Sequence, residues 1–322
     1  MRSNKESNAA NPHFGRKTSI SRRDFLSWLG MLGMAAVGSQ ASGQEPKNSI
    51  HSRPIPVSGE QLPVVGLGTW QTFDETLNAE TRERLSLVLM ILFESGGRVI
   101  DSSPMYGRSE AVVGELTETL GINSQLFMAT KVWTNGQKEG KEQMEGSLRK
   151  MRRSKMDLMQ IHNLLDWQIH LKTLREWKKA GKIRYRGITH YTPGSFGEMA
   201  RIMESEKPDF IQIPYSIEER RAEERLLPLA ADLGIAVLVN RPYEGGSLFS
   251  RVRGKELPSW AQEFDCHSWG QFFLKYILGH PAITCVIPGT SNPKHIKDNV
   301  QAGMGKLPDN SQRKQMVDFL KA

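Results

Sequence analysis

Residues 156–189, MDLMQIHNLLDWQIHLKTLREWKKAGKIRYRGIT, decide how the rest of the chain is read. Residues 156–162 and 183–189 are β-type runs, and 167–180 between them carries a helical pattern. Near-continuous apolar strands separated by a helix are the mark of parallel pairing, with both sheet faces covered. Working outward, the same unit recurs. Strand-type runs fall at 64–69, 98–101, 126–131, 210–214, 235–240 and 283–288, and helical stretches at 80–94, 109–120, 141–152, 195–204, 221–233 and 260–278. A last helix is expected at 311–320. Eight strands, each followed by a helix over about 250 residues, is the arithmetic of a single-domain (β/α)8 or TIM barrel in the α/β class. A doubly wound open sheet is the alternative. Its glycine-rich turn after the first strand is missing, since Gly66 and Gly68 do not continue into G-x-G-x-x-G. One stretch breaks the rhythm: residues 242–258 read as a long loop with three glycines, best placed as a lid on the barrel's C-terminal face.

Composition agrees with a globular enzyme-sized chain. The 322 residues are 38% hydrophobic and 24% charged, which excludes disordered, collagen-like and coiled-coil classes. The net charge of +8 is uneven. Residues 1–43 hold six basic side chains against Glu6 and Asp24, so half the excess lies in that leader. The remaining imbalance is weak, and no zinc-finger or RNA-binding motif accompanies it, so nucleic acid is not an expected partner. Cys266 and Cys285 are too few for a disulfide framework or a structural zinc site.

The leader contains S-R-R-D-F-L at 21–26, then a short apolar stretch (28–37) and a run of small residues (38–43). The apolar stretch is shorter than the roughly 20 residues that span a bilayer. The segment resembles a twin-arginine (Tat) signal peptide, with Arg22 and Arg23 as the pair. That resemblance implies export to the periplasm or beyond, with the Tat translocase as a transient partner and no stable membrane span in the mature chain. Residues 44–61 then read as a linker and 62–322 as the barrel.

Barrel active sites are built at the C-terminal ends of strands. Those positions hold Asp101, Lys131 and His162, with Tyr106 on the loop five residues after Asp101. Singly, each has a structural reading: a helix-capping Asp, a snorkelling Lys, a packing Tyr, a hydrogen-bonded core His. Together on one rim they form a proton-transfer set, in which a neighbouring cation is expected to draw the phenol's pKa toward neutrality.

The run R-V-I-D-S-S-P-M-Y-G-R-S-E-A-V-V-G-E-L (98–116) resembles the signature of the aldo-keto reductase family. G-L-G-T-W (66–70), A-T-K (129–131), I-H-N (161–163), F-I-Q-I-P-Y-S (210–216) and I-P-G-T-S-N-P-K-H-I-K-D-N (287–299) match in the family's order, across about residues 62 to 300. The resemblance implies reduction of an aldehyde or ketone by a nicotinamide cofactor, the cofactor carrying the hydride. Tyr106 would be the general acid, Lys131 would tune it, Asp101 would fix Lys131, and His162 would orient the carbonyl. No metal is implied.

The resemblance also implies a cofactor track. Gly68, Thr69 and Trp70 would lie near the nicotinamide ribose, and Thr189, His190 and Gln212 near its carboxamide. Arg241, where relatives often have a stacking aromatic, would stack or reach phosphate. Pro242, Gly246 and Leu248 would follow the pyrophosphate. Gly289, Thr290, Ser291, Lys294, His295 and Asn299 would form the adenosine-phosphate end, at a helix N-terminus suited to phosphate. Cations without a carboxylate over 288–296 point to NADP(H) rather than NAD(H), and His295 implies a preference that grows as pH falls through the imidazole range. Trp70, Trp133, Asn163, Tyr191 and Tyr243, with Phe249 on the lid, are the expected substrate walls. The rival reading is a non-catalytic, cofactor-binding redox sensor of the same fold; a metal-dependent hydrolase lacks its ligand spacing.

Overall fold

The computed structural model describes residues 49–321. The leader expected at 1–43 lies outside the described residues. A short antiparallel hairpin comes first, β1 (Ser52–Pro54) with β2 (Gln61–Pro63). Eight parallel strands then follow in sequence order: β3 (Leu67–Gly68), β4 (Val99–Asp101), β5 (Phe127–Val132), β6 (Met156–His162), β7 (Ile183–Thr189), β8 (Phe210–Pro214), β9 (Ala236–Asn240) and β10 (Cys285–Val286). Parallel bridges Val65↔Val286 and Gly68↔Gly289 join the last strand to the first and close the barrel.

The helices alternate with the strands: α1 (Ala79–Glu94), α2 (Ser109–Thr119), α3 (Gln137–Lys150), α4 (Trp167–Lys179), α5 (Phe196–Glu206), α6 (Leu226–Leu233), α7 (Ser247–Arg251), α8 (Trp269–Leu278), α9 (Pro293–Gln301) and α10 (Asn310–Lys321). The helix α4 shows why they sit where they do. It buries His170, Leu171, Leu174 and Trp177, spaced one, four and seven residues apart, while Lys178 and Lys179 complement the negative end of its dipole.

Strand period two builds the site. Val99, Phe127, Ala129, Leu158, Tyr185, Phe210, Ala236, Leu238 and Cys285 fill the barrel interior, and the hairpin's Ile55 and Leu62 belong to the same apolar cluster. Side chains of that parity continue toward the C-terminal ends as Asp101, Lys131, Gln160, His162, Thr189, Gln212 and Asn240. The polar ring is therefore the top layer of the barrel core. Gly187 makes room in it: a Cβ there would lie 3.0 Å from Gln160 Cγ and 3.1 Å from the Phe210 carbonyl oxygen.

Three sequence expectations are corrected. Within the presumed linker, residues 52–54 and 61 pair in the β1–β2 hairpin, whose two-stranded sheet spends backbone polar groups that a linker would leave to water. The 242–258 stretch is not loop throughout, since a 3-10 turn (Glu244–Gly246) and α7 occupy it. The single helix expected at 260–278 is two pieces, a 3-10 segment Ser259–Phe264 and α8, divided at Asp265, whose φ of +53° ends the first. Ser268 starts α8 afresh by accepting the Gln271 N–H. Among the described residues, no helix is long and apolar enough to cross a membrane.

Candidate active site

The tetrad expected from sequence converges at the barrel mouth. Lys131 is fully buried, and its ammonium donates to Asp101 Oδ2 at 2.5 Å and to the Ser102 carbonyl at 2.7 Å. The other Asp101 oxygen accepts Gln160 Nε2 and Gln212 Nε2, both at 2.9 Å. A buried carboxylate so completely satisfied is a rigid anchor, because each lost partner would leave charge without solvent. Burial alone would lower the ammonium's pKa; Asp101, and then Tyr106, overcome it and hold Lys131 above its usual value.

Tyr106 arrives over the mouth on a turn in which its N–H donates to the Ser103 carbonyl at 3.0 Å. Gly107 at φ +56° lets the chain leave: a side chain there would run into the Asp74 carboxylate, which accepts the Arg108 N–H at 2.9 Å. Lys131 Nζ lies 5.0 Å from the Tyr106 ring centre. Burial pushes the phenol above its ordinary value, Lys131 opposes the rise, and burial wins. The sequence expectation of a near-neutral phenol is thereby reversed, because charge pairing is readable from residue types and depth is not. A protonated phenol is the form that a general acid requires.

His162 meets Tyr106 edge to face with ring centres 5.7 Å apart, and its Nδ1 shares a 2.9 Å hydrogen bond with Ser103 Oγ. Burial first, then Lys131 and His190, depress its pKa to about 2. The imidazole is neutral and can polarise a carbonyl without supplying the proton. Around these groups opens a cleft of about 1010 Å³.

Most of the expected track lines that cleft. Gly68, Thr69, Trp70, Thr189, Gln212, Arg241 and Pro242 are there, followed by Gly246, Gly289, Thr290, His295 and Asn299. Trp133, Asn163 and Tyr191 wall it near His162. Tyr243 lines it too, its ring 4.9 Å from that of Phe249 and its hydroxyl donating to Asn299 Oδ1 at 2.6 Å.

Four expected residues fall elsewhere. Leu248 is buried in the core between barrel and helices, where an apolar side chain on α7 belongs. Ser291 meets Arg84 through its carbonyl at 3.0 Å, and Lys294 is exposed beyond the rim. His190 stands behind the wall, stacked on Tyr191 with planes 4° apart. Gln212 lines the cleft, yet its N–H groups go to Asp101 and Gln160, and its oxygen accepts Thr189 Oγ1 at 3.3 Å.

Sequence reading missed Gln160, Ser103, Asn240 and Asp298. Strand parity would have found Gln160, two residues before His162. Asn240 Oδ1 is buried without a hydrogen-bond partner while the residue lines the cleft, so an acceptor stands ready there. Asp298 also lines it, but its carboxylate is engaged by Ser268 Oγ at 2.6 Å and Gln271 Nε2 at 2.7 Å. Among the described residues, no group of three or more His, Cys, Asp or Glu is placed to hold a metal ion.

Comparison with known proteins agrees with this architecture. The crystal structure of an aldo/keto reductase from Klebsiella pneumoniae in complex with NADP and acetate superposes with a TM-score of 0.69 at 21% identity, covering 81% of this chain and 93% of that one. The holo form of aldo-keto reductase AKR11C1 from Bacillus halodurans gives 0.68 at 24% identity, covering 84% and 96%. In sequence, the aldo-keto reductase YhdN of Bacillus subtilis strain 168 is 30% identical over 198 residues, and the match spans 56% of this chain and 59% of that relative. The methylglyoxal reductase YeaE of Escherichia coli strain K12 is 25% identical over 253 residues, 76% of this chain and 87% of the relative. The profile of the aldo/keto reductase family matches residues 64–316, and the chain belongs to that family.

Proposed function

We propose that the protein reduces an aldehyde or ketone to an alcohol with NADPH, with Tyr106 as the proton donor. The observation that carries this reading is the buried Asp101–Lys131 pair beneath a phenol that burial keeps protonated, at the foot of an open cleft. A dinucleotide fits the residues present. Thr189 and the unpartnered acceptor of Asn240 suit the carboxamide end. Gly246, Thr290 and the start of α9, capped by Asn292, suit the phosphates. The reduced nicotinamide supplies the hydride for the carbonyl carbon. His162 orients the carbonyl oxygen, and Tyr106 gives its hydroxyl proton to that oxygen as the alcohol forms. The phenolate left behind is stabilised by Lys131 until it is reprotonated from solvent. Turnover of 4-nitrobenzaldehyde by the purified protein, followed at the reduced-nicotinamide absorbance band, tests the reading. No turnover of any carbonyl compound alongside intact cofactor binding would favour a redox sensor.

With His162 held neutral, kcat should show no inflection near pH 6.5, where an ordinary imidazole titrates. An inflection there that disappears in His162→Gln would contradict this. For the cofactor, NADPH should be preferred over NADH by roughly ten-fold in kcat/KM, about 1.4 kcal/mol. Residues 288–296 hold no carboxylate to grip a ribose diol, and Asp298 is already engaged. His295 and the hydroxyl of Thr290 favour a 2′-phosphate. Measuring both cofactors near pH 6 and pH 8 decides it, and a preference for NADH at both would refute the assignment. The leader gives a proposal of its own, export by the twin-arginine route. Replacing Arg22 and Arg23 by Lys keeps the charge and should leave the protein in the cytoplasm. Normal periplasmic levels of that double variant would refute the route.

A further inference from the structure

Seven large apolar side chains are exposed among the described residues, and five of them line the cleft: Trp70, Met105, Trp133, Tyr191 and Phe249. Apolar exposure concentrated in one concavity marks where a ligand is covered. Trp133 is 40% exposed, and its ring centre stands 6.3 Å from that of His162. It begins the loop leaving β5, one residue past the last ladder pair, Val132↔Ile161, so the sheet does not fix its backbone. A single side chain does. Gln143, on α3 and outside the cleft, accepts the Trp133 N–H on Oε1 at 2.6 Å and donates from Nε2 to the Trp133 carbonyl at 3.1 Å. One primary amide thus satisfies both backbone polar groups of one residue, because it carries an acceptor oxygen and donor N–H groups side by side on one planar group. The same loop is tied further along by His170 Nε2 on the Thr134 carbonyl at 2.7 Å and by the Gly136 N–H on Asp166 Oδ2 at 2.8 Å. Tyr191 is fixed in turn by stacking on His190, whose Nδ1 accepts the Thr192 N–H at 3.1 Å. Two flat walls, one held at its backbone and the other by stacking, favour a flat ligand, since part of the ordering cost is already met in the free protein.

We infer that Gln143 is the positioning residue that sets substrate preference: by bracketing Trp133 it makes that ring a fixed wall, and the site favours carbonyl compounds bearing an aromatic ring over short aliphatic ones. This rests on the carbonyl-reductase reading of the site. The test compares 2-naphthaldehyde with propanal for the full chain, Gln143→Ala, Trp133→Ala and the double variant. The unaltered protein should favour the naphthaldehyde by about 30-fold or more in kcat/KM, as expected for covering a ring's worth of apolar surface. Trp133→Ala should remove most of that preference. Gln143→Ala should raise KM for the naphthaldehyde by about five- to ten-fold, the effect of roughly one net hydrogen bond, with kcat and the propanal constants nearly unchanged. In the Trp133→Ala background the Gln143 substitution should have no further effect, because a residue acting through Trp133 cannot act without it. Gln143→Glu, which keeps the acceptor for the Trp133 N–H and loses the donor, should fall between. Equal losses on both aldehydes, additivity with Trp133→Ala, or no preference in the unaltered protein would each overturn the inference. If neither aldehyde is reduced by the unaltered protein, the carbonyl-reductase reading fails, and this inference with it.

Discussion

Replacing Tyr106 by Phe should lower kcat for carbonyl reduction by about 10²–10⁴-fold, the usual worth of a general acid, while cofactor affinity stays nearly constant. Only one hydroxyl is lost. The hydroxyl's contact with the Lys131 ammonium goes with it, but the ring keeps its edge-to-face contact with His162, and the hydrogen bonds of Lys131 and Gln160 to Asp101 do not involve the phenol. The neutral imidazole of His162 is a poor substitute for the donor, because burial, then Lys131 and His190, hold its pKa far below the ordinary imidazole value. Steady-state kinetics beside a fluorescence titration of NADPH separate the two effects. A variant keeping more than about a tenth of the original kcat would remove Tyr106 from the proton-donor role.

Lys131→Met is expected to fail in two separable ways. It leaves the Asp101 carboxylate buried without its cation, which typically costs 3–5 kcal/mol, so the thermal midpoint should drop by several degrees or more. It also removes the positive charge that opposes the rise of the phenol's pKa, so kcat falls and the alkaline limb of the pH profile moves to higher pH. The signs follow from the causes: Lys131 favours phenolate, and its loss makes the proton harder to give. The double variant Asp101→Asn/Lys131→Met has no stranded charge and should regain much of the stability without regaining activity. An alkaline limb unchanged in Lys131→Met would show that the ammonium does not couple to Tyr106.

Much of this arrangement was legible in the sequence because strand parity is strict. Once residues 156–162 read as a strand, the residues at successive strand ends had to share one rim, and Asp101, Lys131 and His162 do. What escaped followed from information that residue types do not carry. Gln160 sits inside an apolar run, where its amide looks like an accident of composition until the Asp101 oxygen appears 2.9 Å away. The hairpin was hidden by Pro54, Pro56, Ser58 and Gly59, turn-forming residues that also compose linkers. The break at Asp265 was hidden because the apolar pattern runs on through Phe264 and Trp269. The sign of the phenol's shift was missed because a sequence names the charges near a group without telling how much water it has lost. Leu248 was assigned to the cofactor track by its place in a motif, and the short helix α7 turns it into the core instead.

As proposed, this cleft delivers a hydride to a carbonyl carbon and a proton from Tyr106 to its oxygen. Incubating the purified protein with NADPH carrying two deuterium atoms at the nicotinamide C4 position, and with an aromatic aldehyde, tests it most directly. The unaltered protein should form an alcohol with one deuterium on its carbinol carbon, and Tyr106→Phe should form almost none despite retained NADPH binding. An alcohol formed without that deuterium, or formed as fast by the Phe variant, would contradict it.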